Sequence, residues 1–235
     1  GQRIVIEEFM EGPEVSVLTF TDSHTILPML SAQDHKRALD GDGGLNTGGM
    51  GTFAPSPKYT EEIQAQVERE IIRPTVDALN AEGRPFKGII FFGLMLTAEG
   101  PKLLEYNARF GDPEAQSVLF LLKNDLLEIF EAILEERLCD IELSWEEGAA
   151  VCVVMASGGY PAGYRTGIEI HGLGPDGQIP DGNATVYHAG TSRKGGRFYT
   201  AGGRVLGVTA CGKDLPEALE RAYAGVGKPS FEGAR

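Results

Sequence analysis

Three cysteines in 235 residues, at Cys139, Cys152 and Cys211, are odd in number and far apart. That usage excludes a disulfide framework and a zinc-knuckle spacing, and it predicts a reducing cytoplasm. Long apolar runs are also missing. The longest, Gly88 to Leu96, is strand-sized and well short of the roughly 18 residues that would mark a membrane span. No membrane partner and no signal peptide are expected. Basic residues are in deficit, 21 against 34 acidic, for a formal charge of −13. So acidic a chain, without a basic stripe, argues against nucleic acid as a partner. It leaves phosphorylated small molecules only where the charge is locally reversed. No Ser/His/Asp or Cys/His set stands out as a nucleophilic centre.

Apolar residues are plentiful, at 42%, enough for a real core in one large or two ordinary domains. Glycine is abundant too, clustered in GDGGLNTGGMG, SGGY and TAGGR without a period. Such clusters predict tight loops where backbone closes on something. The chain opens on GQRIVIEEFM, already inside a strand pattern, so a piece of a longer protein is expected.

Strands are predicted over Arg3–Glu7, Val15–Thr19 and Thr25–Met29. A long polar loop follows, Gln33 to Thr52, of a length that is usually functional or disordered. Thr60 caps a helix with Ile63, Val67, Ile71, Ile72, Val76 and Leu79 on its apolar stripe. Pro74 should kink or divide it. Gly88–Leu96 and Lys102–Asn107, joined by TAEGP, read as an antiparallel hairpin. Asp112 and Pro113 are placed as cap and first residue of a helix over Glu114–Lys123. Asp125 caps another, with Leu126, Ile129, Phe130 and Ile133 on its apolar face. A boundary falls within Cys139–Gly148. Beyond it, Ala149–Ala156, Thr185–His188, Phe198–Thr200 and Val205–Thr209 are short strands between glycine turns. One helix follows, from Asp214 towards Tyr223. The fold class is α+β: an antiparallel sheet with helices over residues 1–143, then a small mostly-β module with one helix over residues 144–235.

The stretch KLLEYNARFGDPEAQ, Lys102 to Gln116, carries an acid, an amide and a cation at alternate positions of a strand. Alternate side chains share a face. A carboxylate and an amide oxygen are hard ligands suited to Mg²⁺, which keeps waters and phosphate oxygens beside one or two protein ligands. Arginine presents a fork of donors to phosphate. On spacing alone Glu105, Asn107 and Arg109 fit a metal–phosphate site, and they also fit an edge strand solvated on that face.

LLEYNARFGDPE resembles the signature of the glycinamide ribonucleotide synthetase family, also called phosphoribosylamine–glycine ligases, which are ATP-grasp enzymes of purine synthesis. VIEEFMEGPEVS, SAQDHKRALDGDGGLNTGGMGTFAP, VVMASGGYPAGYRTG, YHAGT and GGRVLGVTA resemble the same family in the same order. The likeness covers nearly all the residues present. It implies the C-terminal half of an ATP-grasp domain over 1–143 and the family's C-terminal domain over 144–235. It also implies ATP and Mg²⁺ (or Mn²⁺) as cofactors, and glycine and 5-phosphoribosylamine as small-molecule substrates. The products implied are glycinamide ribonucleotide, ADP and phosphate, formed through a glycyl phosphate by an enzyme that is a monomer when intact.

By the same resemblance, Glu7, Glu8, Phe9 and Met10 form the hinge that pairs with adenine, and Glu14 receives the ribose hydroxyls. In isolation EEF also reads as an acidic strand end facing water. Lys36 and Arg37 are the candidates for phosphate contact, with the choice between them open, and Asn46 lies near the nucleotide. His35 reads as a local hydrogen-bonding group. Glu105 and Asn107 match the family's metal ligands, and Arg109 matches the catalytic cation that neutralises the moving γ-phosphoryl group. The neighbouring FFGLML offers no further acid. Tyr164, Arg165 and His188 are the candidates for the ribosylamine side, although a histidine after a strand is commonly structural; Asp112, explained as a helix cap, is also a candidate for substrate contact. The family's region before VIEEF supplies a substrate-binding domain and a lysine-bearing lid. The expectation is therefore that these residues alone do not complete the reaction. Two alternatives stay open: another ATP-grasp carboxylate–amine ligase, and a non-catalytic nucleotide-binding module.

Overall fold

The computed structural model describes residues 4–180 and 182–235. In chain order the first elements are β1 (Glu14–Thr21), β2 (Ile26–Pro28), β3 (Gln33–Asp34), β4 (Arg37–Leu39), β5 (Gly43–Asn46) and β6 (Gly51–Ala54). Then come α1 (Glu61–Val67), α2 (Arg73–Ala81), β7 (Gly88–Thr97), β8 (Gly100–Asn107), α3 (Glu114–Val118) and α4 (Leu126–Leu134). The last stretch holds β9 (Ala149–Ala156), β10 (Glu169–Ile170), β11 (Thr185–His188), β12 (Thr191–Lys194), β13 (Arg197–Thr200), β14 (Arg204–Gly212) and α5 (Leu215–Val226).

The first sheet runs β2–β1–β7–β8, antiparallel throughout. Its inner strands are covered on both faces, which is why they read as near-continuous apolar runs. Alternation sends Val15 and Val17 to the face that meets Val67, Ile72 and Val76 of the α1–α2 layer. It sends Leu18 and Phe20 to the opposite face, against Val118, Ile129 and Ile133 around α3 and α4. A five-stranded sheet, β11–β14–β9–β6–β3, carries the third core with Ala218 and Ala222 of α5. This sheet draws strands from both sides of residue 143. Ser16 and Ala32 exchange backbone hydrogen bonds at 2.8 Å in each direction, tying the two sheets together. Among the described residues, no helix is long and apolar enough to cross a membrane.

The local signals largely act where the sequence places them. Thr60, Asp125 and Asp214 each cap a helix through a side-chain oxygen. Pro74 does divide its helix. A π-helical turn over Glu68–Ile72 precedes it, and the backbone stays helical through Ile72 and Arg73, so the wider turn accommodates the N–H that the proline lacks.

Four expectations need correction. Arg3 lies outside the described residues, and the strand predicted over Arg3–Glu7 is not formed in residues 4–7. They run as exposed coil, because a strand needs a ladder partner and none of the described residues pairs with them. The predicted loop Gln33–Thr52 is instead built from β3, β4, β5 and the start of β6. The helix after Pro113 ends at Val118. Leu122 must extend to bridge Trp145, so a tighter turn over Leu119–Leu121 closes the helix early. Asp112 does not cap that helix. Pro113 takes the cap position without a side-chain bond, while the Asp112 carboxylate accepts from Gln116 Nε2 at 3.1 Å and Arg204 Nη1 at 3.2 Å.

Phe92 is fully buried between β1 and the α1–α2 layer and meets Tyr106 edge-on. Phe92→Ala is expected to lower stability by about 3–5 kcal/mol, seen as an earlier urea midpoint with an unchanged slope.

Candidate active site

A cleft of about 1020 Å³ opens between the start of β1, the β3–β6 arm, β9 and the end of α5. Glu14, Lys36, Arg37 and Asn46 line it, as do Asp34 and Cys152. Lys36 Nζ is paired with Glu14 Oε2. Partial burial works against the Lys36 charge. The hydrogen bond and charge of Glu14, joined by the charges of Asp34 and Glu105, outweigh it and hold the ammonium above the usual lysine range. Glu105 on β8 is therefore in electrostatic reach of the cleft. Arg37 is committed differently: its Nη1 donates to Gly44 O at 3.0 Å inside the β4–β5 hairpin, whose register sets Arg37 opposite Asn46. His35 contacts Gly51 O at 3.3 Å through Nδ1 and tilts over Phe53, a local role as expected.

On the strand side, β8 sets Glu105 opposite Gly93 and Asn107 opposite Phe91, just past a register shift in the ladder with β7. A Cβ on Gly93 would lie 3.0 Å from Glu105 Cγ, so glycine there makes room for the carboxylate stem. Tyr106 turns to the other face, where it meets Phe92 and the Thr75 hydroxyl. Glu105 and Asn107 consequently share one face. The strand ends at Asn107, and Arg109 sits on the bend beyond it. Its guanidinium folds back, donating to Phe110 O at 2.8 Å and to Asn107 Oδ1 at 3.3 Å.

These residues fit a divalent cation. They offer one carboxylate and one amide oxygen on a common face, with Arg109 already recognising the amide oxygen as an acceptor. Among the described residues, no group of three or more His, Cys, Asp or Glu is gathered to hold a metal alone. Such a donor set suits Mg²⁺, which takes its remaining ligands from water and phosphate.

Two carboxyl groups that sequence reasoning missed lie beside this site. Burial pushes Asp34 up to about 7. The charge of Glu114 adds to the shift, and Lys36, the His35 N–H and Arg204 oppose it. Asp34 Oδ1 is buried with no hydrogen-bond partner. Gly49 leaves it room, since a Cβ there would sit 2.7 Å from that oxygen. Glu114, in the first turn of α3, is buried and accepts from Ser16 Oγ at 3.0 Å. Asp34 stands two residues before Lys36 in QDHKR, and Glu114 two after Asp112 in GDPE. Proximity to residues already singled out was the available signal.

The remaining predicted residues are scattered. Glu7, Glu8 and Phe9 are exposed coil and Met10 is half-buried; Lys102 Nζ holds Glu8 Oε1 at 2.7 Å. Tyr164 packs edge-on against Tyr160, whose hydroxyl accepts from Gly48 N at 3.0 Å. Asp112 lies at the turn beyond Arg109, paired with Arg204. Arg165 is drawn to Glu232 at 2.8 Å. His188 is held between Thr191 Oγ1 at 2.9 Å and Gly177 O at 3.0 Å, against Phe198. The structure does not bring Arg165 or His188 to the cleft.

Comparison with known proteins matches this geometry to a family. Residues 1–115 match the ATP-grasp (A) domain of phosphoribosylglycinamide synthetase, and residues 150–235 match its C domain. A phosphoribosylamine–glycine ligase of Caldanaerobacter subterraneus is 48% identical over 99% of this chain and 55% of its own length. The human trifunctional purine biosynthetic protein adenosine-3 is 49% identical over 100% of this chain and 23% of its own. The chain thus spans about half the length of the bacterial relatives it matches. A crystal structure of the phosphoribosylamine–glycine ligase of Thermotoga maritima superposes with a TM-score of 0.82 at 33% identity, covering 97% of this chain and 55% of that one. The biotin carboxylase subunit of pyruvate carboxylase shares the fold at 14% identity, with a TM-score of 0.67. With both of its halves matched to domains of one synthetase, the chain belongs to the phosphoribosylglycinamide synthetase (phosphoribosylamine–glycine ligase) family, on an ATP-grasp fold.

Proposed function

We propose that the protein carrying this chain joins glycine to 5-phosphoribosylamine with cleavage of ATP, giving glycinamide ribonucleotide, ADP and phosphate. The observation that supports the reading most is local to β8, where a carboxylate and an amide oxygen, Glu105 and Asn107, share one face with Arg109 just beyond the strand. Glu105 also adds to the charge that holds Lys36, in the cleft, above the usual lysine range.

In this reading a carboxylate oxygen of glycine attacks the γ-phosphorus and ADP leaves, forming glycyl phosphate. The amine of phosphoribosylamine then attacks the carbonyl carbon, a proton is lost and phosphate departs. Glu105 and Asn107 would hold Mg²⁺ or Mn²⁺, which when bound supplies charge neutralisation to the phosphates. Lys36 is favoured over Arg37 at the phosphates because its ammonium is half-buried in the cleft while Arg37 is exposed on the β4–β5 hairpin; each has a partner to give up, Glu14 and the Gly44 carbonyl. Arg109, at the end of the metal strand, turns from Asn107 to the transferring group, where a guanidinium stabilises developing charge. Asp34, an acid with an unpaired oxygen in the cleft, accepts from the ammonium of the amino acid. That contact would also return it to the charged state. Glu14 and the Glu7–Met10 segment take the nucleoside end. Glu7, Glu8 and Phe9 are open to solvent, with no covering wall among the described residues. We therefore propose that these 235 residues bind metal–nucleotide weakly and do not turn over alone. Three unpaired thiols support a reducing cytoplasm as the compartment.

In a ligase of the relatives' full length that carries this chain, Glu105→Ala or Asn107→Ala is expected to lower kcat/KM about a hundredfold or more. A glycine-dependent ADP-release assay at limiting Mg²⁺ reads this. Near-normal rates in both variants would remove the metal assignment.

Asp34 gives a pH signature. Its folded-state value of about 7 lies above the ordinary 3.8. The native protein therefore binds this proton more tightly than the unfolded chain does. The resulting stability is complete below the ordinary value and is lost as pH rises through about 7. Urea midpoints of the unsubstituted chain should fall between about pH 5 and about pH 8 by more than those of Asp34→Asn. Parallel falls would show that Asp34 titrates normally.

A further inference from the structure

Arg204 belongs to the C-terminal half of the chain, yet its side chain reaches into the site. It opens β14 where the ladder with β9 slips: Arg204 pairs with Ala156, and Leu206 with Met155. A bulge of this kind re-aims a side chain out of the regular alternation. The guanidinium lands between two segments of the first half that are distant in sequence. Its Nη1 donates to Gly48 O at 2.7 Å in the glycine-rich loop. It also donates to Asp112 O at 2.8 Å and Asp112 Oδ1 at 3.2 Å in the turn beyond the metal strand. A Cβ on Gly48 would lie 3.1 Å from the guanidinium carbon, so the plane lies close along that backbone. The same glycine is held from its other polar group, with Gly48 N donating to the Tyr160 hydroxyl at 3.0 Å.

On the basis of the metal–nucleotide reading above, we infer that Arg204 is a positioning residue that locks the glycine-rich loop to the Ala108–Asp112 turn. The turn follows the metal strand directly, and the loop follows Asn46. One guanidinium therefore sets the distance between the metal ligands and the backbone amides that would face phosphate. All of these bonds leave from Nη1, so a lysine ammonium can supply the donors in part but not the guanidinium plane that lies along the Gly48 backbone. Partners of this outer kind usually affect metal affinity without touching the metal.

Two measurements on the 235-residue chain test this. The first is ADP binding by calorimetry, with and without Mn²⁺. Arg204→Met should weaken Mn²⁺–ADP binding about tenfold or more and metal-free ADP binding clearly less, because only the metal complex spans both the loop amides and the metal ligands. Arg204→Lys should recover part of the loss. A uniform loss for both ligands, or none, overturns the inference. The second is amide hydrogen exchange, which needs no ligand. Arg204→Met should speed exchange in residues 46–51 and 108–112 together; faster exchange in only one segment, or in neither, overturns the lock. If the unsubstituted chain binds no nucleotide, the nucleotide reading fails, and exchange alone decides whether the lock exists.

Discussion

Backbone pairing between β6 and β9 keeps the arm that bears Asp34 and Lys36 over the cleft. The ladder runs from Gly51 opposite Val153 to Ala54 opposite Ala150, and β3 is added outside it through Gln33 and Asp34. Without it the segment from Gln33 to Thr52 would have, as its own ladder, the β4–β5 hairpin, with side-chain contacts such as Lys36–Glu14 and Arg204–Gly48 beside it. Two-stranded ribbons of that size are marginal by themselves. The approach is close: a Cβ at Gly51 would fall 2.8 Å from the Cys152 carbonyl oxygen. The glycine is required there by contact distance, with no need for a left-handed backbone. The cleft is therefore a property of both halves of the chain, because one wall is hydrogen-bonded to a strand that begins nearly a hundred residues later.

That shared sheet also explains the electrostatics. Asp34 and Glu114 come from different segments and are brought together as the arm packs over α3. Their proximity, together with burial, raises Asp34. Lys36 and Arg204 approach from two sides and limit the shift. In an isolated arm exposed to water, the same acid would titrate normally. A chain of formal charge −13 thus concentrates both acids and their opposing cations where a charged substrate would enter.

What could be read from the sequence follows the range of the interactions involved. The β7–β8 hairpin was legible because a short glycine-containing link joins two apolar runs. The caps at Thr60, Asp125 and Asp214 were legible because a cap acts over three residues. The small strands of the arm were not, since their partner β9 leaves no mark on the local pattern. Asp112 misled for the same reason. Asp-Pro before an apolar run is a sound local signal, but the Arg204 guanidinium, ninety-two residues away, competes for that carboxylate and prevails. The strand read from the residues of Arg3–Glu7 is not formed over residues 4–7, because extended conformation without a ladder has no hydrogen bonds to hold it. At the site, the Glu105–Asn107 pair was visible as a period of two. Asp34 was not, because its perturbation comes from burial and a distant acid.

The polar contacts within the site share a feature that bears on ligand entry. Lys36 is paired with Glu14, Arg37 with a carbonyl, and Arg109 with Asn107 Oδ1. Each contact satisfies a donor that a polyphosphate would otherwise meet unpaired. The contact between Arg109 and Asn107 also occupies the amide oxygen that a metal would use. In the proposed reading Asn107 would hold the cation, and Arg109 and Lys36 would exchange their present partners, the Asn107 amide oxygen and the Glu14 carboxylate, for phosphate oxygens. Exchange of this kind avoids stranding a desolvated charge at any stage, which is the costly event in a partly buried site. In the proposed reading the residue assigned to the transferring phosphoryl group and one of those assigned to the cation already meet at a single amide oxygen, the 3.3 Å contact from Arg109 to Asn107.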